Sequence, residues 1–278
     1  MLSSDQIKIE RIVKNSASSF YWGMKSLSKE KKRAMFSIYA FCRIVDDIAD
    51  NYGNPEKKKK KLDEWIEKIN ILFRKKNHKT SILRELKIAV NNFNLDQKDF
   101  ISIIEGMKMD VKENIKFPSQ NKLKKYCERV AVSVGYLSIK VFGIDEKIGK
   151  KYAYNLGMAF QLTNIVRDFS EDLKLGRCYI SDEKLKKYRI KKDIGLLQEN
   201  SKIQNILQDI LQEAKFFFDE SDKFSKKIDK KKIIASEVMK HFYKKIHKKM
   251  FKKHLDLEKK VKLGLFDKFS IFFHFMSR

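Results

Sequence analysis

The chain has 278 residues, enough for one large domain or two small ones with a substantial buried core. Only two prolines and 10 glycines occur among abundant lysine, glutamate, leucine and isoleucine, which favours long helices over a turn-rich β fold. Its formal charge of +26 points to nucleic acid, an anionic membrane or an anionic substrate as the partner. Alternatively, the high lysine content reflects only the base composition of the gene and has no functional meaning.

Several kinds of site are excluded by what the sequence lacks. The three cysteines form no C-x-x-C pair, so neither a disulfide framework nor a zinc site is expected. The five histidines are scattered and no glycine-rich phosphate motif occurs, so phosphate binding must depend on metal ions and arginines. Neither a signal-peptide core nor an apolar run of ~20 residues is present. We therefore expect a single all-α domain, 1–278, in the cytoplasm.

The N-terminal part of the chain predicts short helices and then a longer acidic one. Residues 16–23 combine serines with aromatic residues, a pattern typical of a helix N-cap with an aromatic staple. The stretch 36–50 predicts a helix with one acidic face. At about 100° per residue that face carries Tyr39, Arg43, Asp46 and Asp50. Alone, such a face is also typical of a solvated helix surface.

The middle of the chain predicts amphipathic helices. After the basic run 57–61, apolar residues repeat every three to four positions and place Trp65 in the core. Small residues in the segment 126–138 permit close helix approach or leave space for a long apolar ligand. These two interpretations of the small residues both stay open.

The stretch 157–179 predicts a second acidic face beside an apolar stripe. The polar arc carries Gln161, Asn164, Asp168 and Asp172. Gly157 lies one turn earlier on the same arc, where a missing side chain leaves room for a ligand. Gly176 lies where the helix should end.

The two acidic faces together predict one site. Carboxylates one turn apart repel each other unless they are protonated or bridged by a cation, and oxygen ligands of this kind suit Mg²⁺. Mg²⁺ also takes phosphate oxygens as ligands. Arg43, Arg167 and Arg177 lie nearby, so we expect metal-bridged diphosphates to be held from two sides.

The C-terminal region 223–278 is basic and amphipathic. Residues 223–262 contain 16 lysines against four acidic residues, and an aromatic patch follows at 266–275. One helical face carries Met239, Phe242, Tyr243, Ile246 and Met250. Either this stripe packs onto the helical core, or the region lies on an anionic membrane surface.

Three motifs resemble those of the squalene/phytoene synthase family, and the resemblance covers nearly the whole chain. They are Tyr39-Ala-Phe-Cys-Arg-x-x-Asp-Asp-x-x-Asp50, Gln161-Leu-Thr-Asn-x-x-Arg-Asp-x-x-Glu-Asp172 and Gly176-Arg-x-Tyr179. The resemblance implies an isoprenoid synthase helical bundle around a central cavity, prenyl diphosphate substrates and head-to-head condensation of two of them. We expect the two acidic helices to face each other, antiparallel, across that cavity.

The resemblance also assigns roles to residues. It implies Mg²⁺ ligands at Asp46, Asp50, Asn164, Asp168 and Asp172, the four aspartates also being catalytic. It makes Tyr126 the tyrosine near the reacting carbons. The implied substrate-binding residues are Ser18, Ser19, Phe20, Tyr21, Tyr39, Arg43, Gln161, Asn164, Arg167, Arg177 and Tyr179. A carbocation needs a dry aromatic pocket, for which Phe20, Tyr21, Phe41 and Phe160 are candidates.

The neighbourhoods Glu105-Gly-Met-x-Met-Asp110 and Tyr126-Cys-x-Arg-Val-Ala131 resemble those of bacterial presqualene diphosphate synthases. We therefore predict condensation of two farnesyl diphosphates, with other enzymes of the squalene pathway downstream. A phytoene synthase is the first alternative, and a non-catalytic family member acting in assembly is the second. Nucleic acid is not expected as a partner, because no binding motif is present.

Overall fold

The computed structural model describes residues 2–16, 20–75, 77–112, 115–251, 255, 257, 260–264, 267 and 271, except for the side chains of Trp22 and Lys112. Over these residues the protein is all-α, as predicted, and has no β-strand. The helices are α1 (Ser4–Asn15), α2 (Phe20–Lys25), α3 (Lys29–Asp50), α4 (Pro55–Arg74), α5 (Ser81–Phe93), α6 (Gln97–Lys112), α7 (Gln120–Cys127), α8 (Ser133–Phe142), α9 (Glu146–Arg167), α10 (Phe169–Lys174), α11 (Asp182–Tyr188), α12 (Ile194–Leu197), α13 (Ile203–Ser225) and α14 (Lys230–Phe251). A π-helical turn, Glu128–Val132, joins α7 to α8.

Local sequence explains where several helices begin. Ser3 and Gln6 form a reciprocal capping box at the start of α1. Asn54 caps α4 and is followed by Pro55, whose ring suits the first helical position. Asp145 caps α9 in the same way. These helix starts are therefore determined by neighbouring residues rather than by tertiary contacts.

The core consists of two hydrophobic clusters that both include α9. Leu156 and Ala159 belong to the first cluster, which also contains the buried Trp65, as predicted. Leu162 and Ile165 belong to the second. Because α9 contributes to both clusters, its position is constrained along its whole length.

The apolar stripe of α14 faces the core. Its five residues, Met239, Phe242, Tyr243, Ile246 and Met250, are all buried. This confirms the packing interpretation of the stripe. Most of the patch 266–275 lies outside the described residues, and Ile271, which is described, is buried. No helix in the described ranges is both long and apolar enough to cross a bilayer.

A glycine lets α9 approach the π-helical turn. A Cβ atom at Gly157 would lie 2.9 Å from Cα and 3.0 Å from N of Val132, closer than such atoms can come. Gly157 does border the central cavity. However, the space of its missing side chain is filled by the Val132 backbone, so it leaves less room for a ligand than the sequence predicted.

The second acidic stretch is not one continuous helix. α9 ends at Arg167, and Asp168 lies between α9 and α10 with φ −100° and ψ 7°. The helix is therefore broken at Asp168, although the amide of Asp172 still donates to the carbonyl of Asp168 over 2.9 Å. Gly176 has φ +73°, the left-handed conformation expected of a glycine after a helix end, and confirms the predicted terminus.

The acidic helices α3 and α9 run in the same direction, so the antiparallel expectation is wrong. Both begin near the end of α8: Lys31 of α3 donates to the carbonyl of Phe142, and Gly149 of α9 packs against Ile139. Both end at the acidic motifs. Between α3 and α9 the chain reverses its direction an even number of times. Helical periodicity cannot predict this number.

Replacing Gly157 with alanine should destabilise the protein by about 1–3 kcal/mol, because the added methyl group would have to displace the Val132 backbone. Urea unfolding measures this change. Gly195→Ala is the control, because a Cβ there has only Asp193 Oδ1 nearby, at 3.4 Å. Its stability should be unchanged or rise by about 0.4–1 kcal/mol. Equal stabilities for the two variants would contradict the proposed close approach.

Candidate active site

An apolar cavity of about 250 Å³ runs along α9, bordered by α2, α3, α8, α14 and the π-helical turn. Five of the residues predicted for the pocket line it: Phe20, Tyr39, Phe160, Gln161 and Asn164. The structure therefore brings together predicted residues from three separate helices. The side chains Gln161 and Asn164 form the polar end of this wall, next to the acidic motifs.

Aromatic rings cluster on the cavity wall. The ring of Phe160 stacks on that of Tyr243, with centroids 4.1 Å apart. The Phe20 ring lies 5.9 Å from that of Tyr39 and 6.0 Å from that of Tyr243. Tyr243 was not predicted as a site residue, because its place in the apolar stripe of α14 is typical of any core residue.

Two predicted pocket aromatics lie elsewhere. Phe41 is fully buried between Trp65 and Phe100 and cannot line or shorten the cavity. It is two residues from Tyr39, which on a helix is a rotation of about 200°, to the opposite face. Tyr21 stacks on Phe36 and is not among the described cavity-lining residues. The predicted Ser18 and Ser19 lie outside the described residues.

The first acidic motif occupies the last turns of α3. Arg43 donates to Asp46 over 2.7 Å and also pairs with Asp47. Burial, together with the charge of Asp50, raises the pKa of Asp46 to about 7. Without a bound cation, this carboxyl group is therefore partly protonated at neutral pH.

The second acidic motif begins at the end of α9. Arg167 donates two hydrogen bonds to Asp168, of 2.8 and 2.6 Å, and Lys260 lies 2.8 Å from the same carboxylate. Burial alone would raise the pKa of Asp168, but these hydrogen bonds outweigh it and lower the pKa. Asp172 behaves differently, because burial and the charge of Asp168 raise its pKa to about 8.

Arg177 connects the two motifs. After the turn at Gly176, its guanidinium is buried and donates from Nη1 to Asp50 over 2.6 Å and from Nη2 to the carbonyl of Ala49 over 2.9 Å. Its own amide donates to the carbonyl of Asp172 over 2.8 Å. One residue therefore ties the end of α3 to the end of α10, and the acidic motifs meet at one place.

A buried carboxylate with two tyrosines lies beside this contact. The hydroxyl of Tyr179 donates to Asp110 over 2.7 Å and that of Tyr126 to the other carboxylate oxygen over 3.0 Å. The two rings stack with centroids 4.9 Å apart. Burial raises the pKa of Asp110 to about 6 and that of Tyr126 well above its usual value, so the phenol is neutral. Glu105, at the other end of the same sequence motif, pairs with Lys108 instead.

The donor set fits a divalent cation. Within the described ranges, no three acidic, histidine or cysteine side chains already converge closely enough to hold an ion. Arginines and Lys260 hold several of the carboxylates in this arrangement. However, the buried Oδ1 atom of Asn164 accepts no hydrogen bond, and the pKa values of Asp46 and Asp172 are raised partly by neighbouring carboxylates. Carboxylate and amide oxygens are the ligands that Mg²⁺ prefers.

Comparisons with known proteins agree with this geometry. Residues 13–267 match the squalene/phytoene synthase family. The chain is 42% identical to a presqualene diphosphate synthase of Zymomonas mobilis, over 84% of this chain and 80% of the relative. It is 36% identical to a presqualene diphosphate synthase of Rhodopseudomonas palustris, over 81% of each.

A solved structure shows the same fold. The crystal structure of a dehydrosqualene synthase in complex with ligand superimposes with a TM-score of 0.83 at 25% identity, covering 98% of this chain and 95% of that one. A family match over most of the chain, these identities and this structural agreement lead to one conclusion. The chain belongs to the squalene/phytoene synthase family and is a prenyltransferase.

Proposed function

We propose that the chain, as one catalytic domain spanning residues 1–278, condenses two farnesyl diphosphates head to head to presqualene diphosphate. The observation that carries this proposal is the Arg177–Asp50 contact, which joins two acidic motifs beside an apolar cavity. An apolar cavity with a charged end suits a long hydrocarbon chain that ends in a diphosphate. The 42% identity to a presqualene diphosphate synthase supports this choice of product.

The residues proposed to hold the metal are Asp46, Asp50, Asn164, Asp168 and Asp172. When bound, Mg²⁺ neutralises the charge that develops on a departing diphosphate. The carboxylates contribute by placing negative charge on both sides of the acidic end of the cavity. Asn164 contributes an oxygen that is already buried and lacks a donor.

Basic side chains at this end are proposed to bind the diphosphate. Arg43, Arg167 and Arg177 are planar donors matched to phosphate oxygens, and each now pairs with a motif carboxylate. A metal ion on the carboxylates would compete for those same oxygens and release guanidinium groups for the substrate. Gln161 and Tyr39, on the cavity wall beside them, complete the polar end of the site.

The apolar part of the cavity is proposed to protect a carbocation. Phe20, Phe160 and Tyr243 line the cavity and pack against one another, and aromatic faces stabilise cations through their electron density. Most residues of the wall are apolar. Burial raises the pKa of the Cys42 thiol to about 12, so this residue of the wall remains protonated.

Tyr126 is proposed to act as a neutral hydroxyl near the reacting carbons, and Asp110 positions it. Tyr179 holds the other oxygen of the same carboxylate, so the three groups orient one another. The proton lost during ring closure is proposed to leave with the diphosphate. No histidine base is then required.

Each of the substitutions Asp46→Asn, Asp50→Asn, Asp168→Asn and Asp172→Asn should lower kcat by at least about 100-fold, because a charge that stabilises the transition state is lost. Steady-state assays with farnesyl diphosphate and Mg²⁺ measure the effect, and circular dichroism checks the fold. Asp219→Asn is the matched control, since Asp219 lies on the surface and pairs with Lys215, away from the acidic motifs. Full activity in excess EDTA would contradict the metal requirement.

Incubation of the purified protein with C15 and C20 diphosphates, each with and without NADPH, tests the product. We expect presqualene diphosphate from C15, unchanged by NADPH, because no dinucleotide fingerprint occurs in the sequence. Mass spectrometry identifies the products. Phytoene from C20 as the preferred product would replace the proposal with the phytoene synthase alternative. No product from either substrate would favour the non-catalytic one.

We further propose that the protein associates peripherally with anionic membranes, where the hydrocarbon chains of its substrates and product would be held. The buried stripe of α14 cannot insert, so the attraction must come from the lysines on its outer surface, such as Lys230 and Lys231, and from the patch 266–275. Each lysine near an anionic surface contributes about 1 kcal/mol.

The protein should float with anionic vesicles but not with neutral ones, and 0.5 M salt should weaken binding because charges are screened beyond about 10 Å already at 0.1 M. The double substitution Lys230→Glu/Lys231→Glu should lower the bound fraction. Lys57→Glu/Lys60→Glu is the control, with the same charge change on α4. Removal of residues 264–278 tests the patch, and unchanged flotation would show that it contributes nothing.

A further inference from the structure

Tyr152 lies at the far end of the cavity wall that α9 forms. Cavity-lining positions on α9 extend from Asn164, beside the acidic motif, back to Tyr152, 12 residues earlier. At 1.5 Å per residue this distance is about 18 Å. One turn further, the space beside Gly149 is filled by Ile139 and Ile144. Among the residues of α9 that line the cavity, Tyr152 therefore lies farthest from the acidic motif.

Buried hydrogen bonds hold this ring in place. Tyr152 is 1% exposed, and its hydroxyl lies 2.9 Å from Glu237 Oε1 and 3.0 Å from Ser236 Oγ. The same Glu237 oxygen accepts a hydrogen bond of 2.5 Å from Lys240 Nζ. Lys240 also lies 2.8 Å from Asp222. The tyrosine is therefore attached to a network that joins α9, α13 and α14.

The network itself is difficult to rearrange. The Lys240 side chain is only 2% exposed, and a buried charge cannot be separated from its partners without a large loss of stability. Burial and the charge of Glu237 raise the pKa of Tyr152 well above its usual value, so its hydroxyl remains a donor. The ring therefore cannot turn out of the cavity without losing its bond to a carboxylate.

Other residues of the wall are easily displaced. Met24, Met35 and Met239 line the same cavity, and unbranched thioether side chains adapt their shape to a ligand. Tyr152 combines a large ring with a fixed position. A longer hydrocarbon chain would therefore move the methionines before it moved the tyrosine.

We propose that Tyr152, held by Glu237 and Lys240, determines the longest prenyl chain that the cavity accepts. This inference rests on the proposed function for its class of ligand, a prenyl diphosphate whose charged group lies at the Asn164 end. The buried lysine network acts here through the ring that it holds, and Tyr152 is the residue in contact with the end of the hydrocarbon chain.

Binding of unreactive thiolodiphosphates with C10, C15, C20 and C25 chains tests the proposal by isothermal titration calorimetry in the presence of Mg²⁺. In the wild-type protein, affinity should increase with length up to a limit and then fall. Tyr152→Ala should move that limit one isoprene unit longer, with at least about a tenfold gain for the first chain beyond it. Tyr152→Phe keeps the ring but loses the Glu237 bond, so it should give a smaller gain for the same chain.

Tyr154→Ala is the matched control, because this ring lies on the same helix but packs against Phe217 and not in the described cavity wall. It should leave the limit unchanged. Tyr152→Leu replaces the alanine variant if thermal unfolding shows that the latter does not fold. An unchanged limit in a folded Tyr152 variant, or an equal shift in Tyr154→Ala, overturns the proposal. Binding is measured without turnover, so failure of the wild-type protein to form presqualene diphosphate would refute the proposed function separately.

Discussion

The ion pair between Arg177 and Asp50 is the contact on which the active site depends. These residues are far apart in the sequence, and their bond brings the ends of α3 and α10 together. Arg177 is 7% exposed, so its charge must be matched by nearby carboxylates, and burial of an unpaired guanidinium would be costly. Burial disfavours the charged form of Arg177, but Asp110, Tyr179 and Asp50 together favour it and raise its pKa. The arginine and the acidic motifs therefore stabilise each other.

The same crowding of carboxylates makes the site receptive to cations. Asp46 and Asp172, whose pKa values are raised to about 7 and about 8, bear the repulsion of their neighbours. Asp168 avoids that repulsion because Arg167 and Lys260 hold it. A site with both kinds of carboxylate can exchange protons or basic side chains for a metal ion at modest cost. In this part of the molecule, basic side chains neutralise the charge of buried carboxylates.

Close helix packing gives the cavity its shape. Gly157 lets the π-helical turn approach α9 to a distance that a larger residue would prevent, and at Gly135 of α8 a Cβ atom would lie 3.1 Å from that of Ala153. The wall on that side is therefore made largely of backbone and small side chains, which cannot be rearranged easily. The opposite wall carries rings and methionines from α2, α3 and α14. One side of the cavity is therefore rigid and the other is adaptable. Tyr152, on α9, is also rigid because charged residues hold it.

The sequence by itself determined the all-α class, the two acidic faces and the helix end at Gly176, because helical periodicity and the left-handed glycine conformation are local properties. It also predicted that Phe20 and Phe160 line the cavity, from the aromatic pocket that a carbocation requires. Tertiary structure alone decided that Phe41 is in the core, that α3 and α9 are parallel, and that Asp168 interrupts the helix. Periodicity shows which residues share a face but not which neighbour covers that face. Tyr152 shows this limit most clearly, since its partners Glu237 and Lys240 lie more than 80 residues away in the chain.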